Sequence, residues 1–144
     1  MENNAVKKPT IRQLETMRYR YELSGSKLIV KNKYHRGPEV GEMVGSPMGG
    51  DPKRKGYLQL SVLGGVFLVH QIVWFFTRDM WPTEFIKHVD GDRSNSSPEN
   101  LRQAFFILEG ESRVFLGYFS DGHDVMRAYH KRALELGYLP DILS

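Results

Sequence analysis

Apolar positions in this chain fall into short blocks separated by polar, glycine-bearing stretches, a pattern that predicts small elements rather than long helices or one large sheet. Thr10 followed by Gln13 has capping-box spacing, so a helix is expected from Ile11 to about Glu22. Ile11, Leu14, Met17, Tyr19 and Tyr21 give it a loose apolar stripe, and Gly25 ends it. Lys27-Leu28-Ile29-Val30 reads as a short strand, and the glycines and prolines of residues 31–56 predict loops. Tyr57, Leu58, Leu60 and Val62 partly alternate with polar neighbours, and Gly64-Gly65 joins them to Val66–Val69, which predicts a hairpin. His70 to Arg78 is apolar nearly all round, including Trp74, Phe75 and Phe76, as a buried helix should be. Beyond Trp81-Pro82, Phe85, Ile86 and His88 read as a strand, and Ser97-Pro98-Glu99 as the start of a helix. Arg113 to Phe119 predicts a further strand. Ser120 then reads as the N-cap of a last helix running to about Leu136, stopped by Gly137 and Pro140. Val125, Tyr129, Arg132 or Ala133, and Leu136 share one face of that helix, while residues 1–9 read as an unstructured arm.

Composition adds limits more than identity. A chain of 144 residues fits one domain, or one core with an appendage, and its apolar fraction of 40% and charged fraction of 26% are ordinary for a globular protein. A formal charge of +3 favours a polyanionic partner without establishing one. The lack of Cys excludes disulfides, thiolate zinc sites and cysteine nucleophiles, and suits a reducing compartment. With no apolar run near the ~20 residues of a membrane span, and a polar start MENNAVKKPT, the expectation is a soluble cytoplasmic protein with no membrane partner.

The chemistry-bearing stretch is Phe85 to Arg102, FIKHVDGDRSNSSPENLR. A strand ending in an imidazole, a Gly/Ser/Asn-rich loop and a helix start can set His88 beside a loop Asn and a helix N-terminus, an arrangement able to hold phosphate and a divalent ion. Its His-x-Asp-Gly turn (88–91), Asn95 and Asn-Leu-Arg (100–102) resemble the core of phage HNH homing-type endonucleases. Earlier features keep the same order: Gly-Ser at 45–46, Lys-Gly-Tyr-Leu at 55–58, a hairpin, Val-His-Gln-Ile-Val-Trp at 69–74 and Pro82. A second stretch, VFLGYFSDGHDVMRAYHKRALEL from Val114 to Leu136, is similar to the last strand and helix of the AP2-type DNA-binding domain, with the earlier strands of that domain largely missing; an amphipathic helix packed on a strand accounts for the same residues.

The resemblance implies an α+β, loop-rich fold with an antiparallel hairpin, a ββα-metal motif and a C-terminal helix. It divides the chain into an HNH-like domain over residues 1–110, with its N-terminal helix and hairpin, and a strand-helix piece over 111–144. It further implies hydrolysis of phosphodiesters in double-stranded DNA, in the cytoplasm of a phage-infected bacterial host cell. His88 would be the base that activates water and Asn95 the residue that orients it, while Asp90, Gly91 and Asn100 would shape the loop. Lys53, Arg54, Lys55 and Arg102 would contact phosphate, joined by Lys31, Lys33, His35 and Arg36; charges on solvated loops explain the same residues. His70 either packs or caps the aromatic helix or lies near the site. His123 and His130 share a helical face but lack a carboxylate at metal-binding spacing.

Cofactor chemistry is where the chain departs from the family. The family binds Mg²⁺ or another divalent cation through the residue before the His and through a helix residue that corresponds to Glu109. The residue before His88 is Lys87, whose ammonium repels a cation. Two expectations follow: an active nuclease that uses Glu109 as a metal ligand, or a degenerate relative with no metal. In the degenerate case Lys87 and Glu109 form an ion pair, and the protein acts by binding DNA or by inhibiting a host protein.

Overall fold

The computed structural model describes residues 7–50 and 52–137. The expected arm at residues 1–9 and the stop at Pro140 therefore lie wholly or partly outside the described residues. Within them the architecture is α+β: three α-helices, two single 3-10 turns and small antiparallel sheets. The elements are α1 (Ile11–Arg20), β1 (Tyr21–Ser24), β2 (Lys27–Val30), β3 (Ser46–Pro47), β4 (Leu58–Val62), β5 (Gly65–Leu68), α2 (Val69–Arg78), β6 (Ile86–His88), β7 (Leu101–Glu109), β8 (Ser112–Phe119) and α3 (Gly122–Glu135). Pairing is β1-β2, β3-β4-β5 and β6-β7-β8.

The first helix starts where its cap dictates. Thr10 Oγ1 accepts from the Gln13 amide at 3.1 Å, and Gln13 Oε1 accepts from the Thr10 amide at 2.8 Å. It ends at Arg20, short of the expected Glu22, because Tyr21 and Glu22 pair instead with Val30 and Ile29, which buries Tyr21. The hairpin turn is Leu63-Gly64, with φ of +46° and +81°, one residue earlier than the Gly-Gly pair suggests. Gly65 is already in the strand, where a Cβ would meet Gln13 Nε2 at 2.7 Å and the Phe67 ring at 2.9 Å, so only glycine lets α1 close onto the hairpin.

The core is formed by α1, the two hairpins, α2 and the start of the third sheet. Met17, Leu28, Val62, Phe67, Ile72, Val73 and Leu101 are all 1% exposed or less. Each side chain of that size contributes on the order of 2 kcal/mol by leaving water. The last sheet is attached at one end: Ile86 and Leu101 reach the core, and Gln103 exchanges hydrogen bonds with Thr83 at 3.2 Å. Toward Glu109 the strands leave the body, and Phe106, Leu108, Phe115 and Tyr118 lie exposed.

Two expectations about this region need correction. The helix start at Ser97-Pro98-Glu99 yields only a 3-10 turn, Pro98–Asn100, after which the chain is extended through Glu109. Phe105, Phe106, Ile107 and Leu108 suit a strand, and seven cross-strand pairs with β8 hold them there. The cap of α3 is Asp121 rather than Ser120, its Oδ1 accepting from the amides of His123 (2.9 Å) and Asp124 (3.2 Å). Of the face expected to pack, Ala133 is buried and Val125 and Arg132 are half-buried, but Tyr129 and Leu136 are exposed. The expected division at 110–111 falls on the turn between β7 and β8.

Candidate functional site

His88 is the last residue of β6, and strand alternation sends Ile86 and His88 toward the body and Lys87 away from it. His70 is the second residue of α2 and is 4% exposed, against 6% for His88. Their ring centroids lie 4.7 Å apart, edge to face, and Tyr57 lies 5.3 Å from His70 and 5.8 Å from His88. His70 is thus a member of the site, in addition to being part of the aromatic helix. Burial favours the neutral form of both imidazoles. Burial, reinforced by the neighbouring His88, pushes His70 down to about 3. Burial also lowers His88, against the opposing pull of Asp90 and Asp92. Nδ1 of His70 and Nε2 of His88 are buried without a hydrogen-bond partner.

The loop that follows is organised around Asp90. Its carboxylate accepts from Asn95 Nδ2 at 2.8 Å, from the Asp92 amide at 2.8 Å and from Asn100 Nδ2 at 3.0 Å. Those bonds, that from Asn95 foremost, hold the carboxyl below the usual range. Asn100 is buried and returns a bond through Oδ1 to the Asp90 amide at 3.0 Å, while its Nδ2 also reaches the Asn95 carbonyl at 2.9 Å. Gly91, at φ +78°, completes the turn by donating to the His88 carbonyl at 2.9 Å. Asp90, Gly91 and Asn100 together form the turn that follows His88. Asn95 has a different task from the one expected: it secures Asp90 and, through Oδ1, the Ser97 amide at 3.2 Å, leaving the imidazole unoriented from that side.

Arg93 joins this loop to the basic turn. Its Nη1 donates to the carbonyls of Lys53 (2.5 Å) and Lys55 (3.3 Å), and its guanidinium lies 4.6 Å from the Tyr57 ring. Lys53, Arg54 and Lys55 are exposed, so an exposed cationic turn is fastened beside the histidine pair. Arg93, a lone Arg in a Gly/Ser/Asn loop, carries no site signal in the sequence, and Tyr57 shows there as part of a strand and of the Lys-Gly-Tyr-Leu feature rather than as a site residue. Arg102 lies outside this cluster and caps the carbonyls of Glu99 and Leu101 at 3.1 Å. Among the other basic residues, Lys33 pairs with Glu39, while on α3 His123 is exposed and His130 half-buried.

The residues do not fit the divalent cation the family uses. Lys87 pairs with Arg102 in the sheet, whereas Glu109 pairs with Ser112 at the far end of β7, roughly 20 Å away at ~3.3 Å per residue. Glu109 is bonded to Arg132 at 3.2 Å, and the Lys87 ammonium lies 5.1 Å from the Tyr118 ring. The expected Lys87–Glu109 ion pair is therefore absent, because the segment between them is a strand rather than a helix folding back. Among the described residues no three His, Asp or Glu side chains converge as a metal site. No helix among them is long and apolar enough to cross a membrane.

No family model, curated protein or solved structure matches this chain.

Proposed function

We propose that this chain is a DNA-binding relative of the HNH endonucleases that no longer cleaves by metal-assisted hydrolysis. The observation carrying the binding reading is the Arg93 bridge, which fastens Lys53, Arg54 and Lys55 to the loop bearing the HNH-like residues. A fixed, exposed cluster of cations neutralises phosphates without discriminating between bases. Against cleavage stand the ammonium of Lys87 in the ligand position and the closure of His88 Nε2 from solvent, which keeps attacking water from the ring nitrogen. Inhibition of a host protein by the same basic surface is the other form this reading takes.

The nuclease reading draws support from one feature, the placement of His88 and His70 side by side at the end of the HNH-like strand. Duplex binding measured against salt and plasmid nicking with Mg²⁺ or Mn²⁺ separate the two. Duplex affinity should fall steeply with salt, and Lys53→Ala with Arg54→Ala and Lys55→Ala should weaken it evenly across sequences and flatten that dependence. Absence of duplex binding at low salt removes the DNA reading. Metal-dependent nicking that disappears in His88→Ala establishes the nuclease instead. Lys87→Asp with Glu109→Asn should not create a cation site, because the two positions lie far apart in the sheet.

A further inference from the structure

The outer face of the third sheet carries a row of aromatic rings that the fold does not use. Phe106, Phe115 and Tyr118 are 36%, 50% and 40% exposed, with ring centroids 5.5 Å apart for the first pair and 5.2 Å for the second. Phe115 and Tyr118 are three residues apart and in a regular strand would point to opposite sides. They share a face because the ladder slips: Phe105 pairs with Gly117 and Phe106 with Phe115, leaving Leu116 as an extra residue in β8. Such a bulge re-aims the side chains beyond it. Cations close both ends of the row. The Arg113 guanidinium lies 4.0 Å from the Phe106 ring while pairing with Glu84 at 2.9 Å, and the Lys87 ammonium lies over Tyr118. Arg102, the register partner of Lys87, extends the positive end.

The geometry points to this face as a stacking platform for single-stranded nucleic acid, with unpaired bases laid on Phe115, Tyr118 and Phe106 and the backbone phosphates held by Lys87, Arg102 and Arg113. Exposed rings flanked by cations match the two components of a single strand, π-faces and phosphates. A duplex hides its base faces in its own stack and cannot use the rings in this way. A protein partner would use the rings but would leave the flanking cations unmatched unless it were acidic. The site lies on the opposite side of β6 from His88 and does not depend on the duplex reading of the basic turn.

Fluorescence anisotropy of the full chain with labelled oligo-dT and oligo-rU of about 12 nucleotides, and with a matched duplex, tests it. Phe115→Leu with Tyr118→Leu keeps apolar bulk and removes the rings. It should weaken strand binding roughly tenfold or more while leaving duplex binding and the circular dichroism unchanged. Tyr118→Trp, which keeps a ring, should retain binding, and its indole emission should be quenched by the oligonucleotide. A preference for dT or rU sets the kind of strand and leaves the proposal standing. It is overturned if the double Leu variant folds and binds the strand as the parent does, if duplex binding falls equally, or if the Trp emission does not move at saturation. A dimer seen by light scattering that dissociates in the double Leu variant likewise overturns it, by making the face a self-association surface. The triple basic-turn variant reports separately on the duplex reading.

Discussion

Phe67, Trp74 and Phe75, in the body, are 1%, 2% and 8% exposed, whereas Phe106, Phe115 and Tyr118, in the hairpin beyond it, are 36% to 50% exposed. The two groups are chemically alike and differ in what faces them. In the body, α1, α2 and two hairpins enclose the rings from all sides, so burial is the use of each aromatic. The β7–β8 hairpin packs against α3, and its other face leaves Phe106, Leu108, Phe115 and Tyr118 exposed. Aromatics in the first setting stabilise the fold; in the second they are available to a partner. The same division runs through three residues of β6, where His88 belongs to the enclosed side and Lys87 to the open one.

The largest test of that contrast is truncation on each side. Phe67→Ala should cost roughly 3–5 kcal/mol in denaturant unfolding, by lost transfer energy and a residual cavity. Leu108→Ala, at 72% exposed, should stay within about 0.5 kcal/mol. A cost above ~2 kcal/mol for Leu108→Ala would show that the hairpin is covered in solution.

Acid sharpens the contrast next, because the buried imidazoles lie on the enclosed side. The unfolded chain protonates His70 from about pH 6.5, while the folded chain holds it neutral down to about 3, so the unfolded state binds more protons between those values. Stability is therefore complete above 6.5 and falls with pH below it, on the order of 1 kcal/mol per pH unit, with His88 acting in the same direction. Asp90, whose carboxyl is also held low, adds a loss only at more acid pH. Thermal unfolding of the parent and of His70→Gln between pH 7 and 4 checks this by slope: the variant should lose much less stability over that interval. Equal slopes would mean that the imidazoles are accessible to protons in the folded protein.

The smallest effect concerns the attachment of α3. Asp121→Ala should cost about 1 kcal/mol by freeing the amides of His123 and Asp124. In hydrogen exchange the loss should appear in α3 and leave Ile72 and Val73 as protected as before, since the cap's hydrogen bonds go to His123 and Asp124 of α3. Faster exchange throughout would make body and hairpin one cooperative unit.

What could be read from the chain follows from how local its causes are. The capping box of Thr10 and Gln13, the strand at Lys27–Val30, the Leu63-Gly64 region and the aromatic helix rest on neighbours within a few residues, and these were legible. The extended course of Leu101–Glu109 was not, because the likeness to a metal-bearing motif outweighed four strand-forming residues whose pairing partner lies beyond Gly110. In the site, the turn made by Asp90, Gly91 and Asn100 rests on bonds between residues close in the chain. The approach of Arg93 to Lys53, forty positions away, and of His70 to His88 depends on how the sheets meet. That meeting has no signature in spacing, so the residues closest to the candidate chemistry cannot be read from the chain alone.

Alternation along β6 also constrains how this lineage can change. Deleting Ile86 would turn the Lys87 ammonium toward the buried His70 and expose His88 on the open face, so both surfaces would be lost in one event. Length variation is therefore expected to be purged from that short strand and tolerated at Gly110 and Glu111, where the hairpin tip meets only solvent.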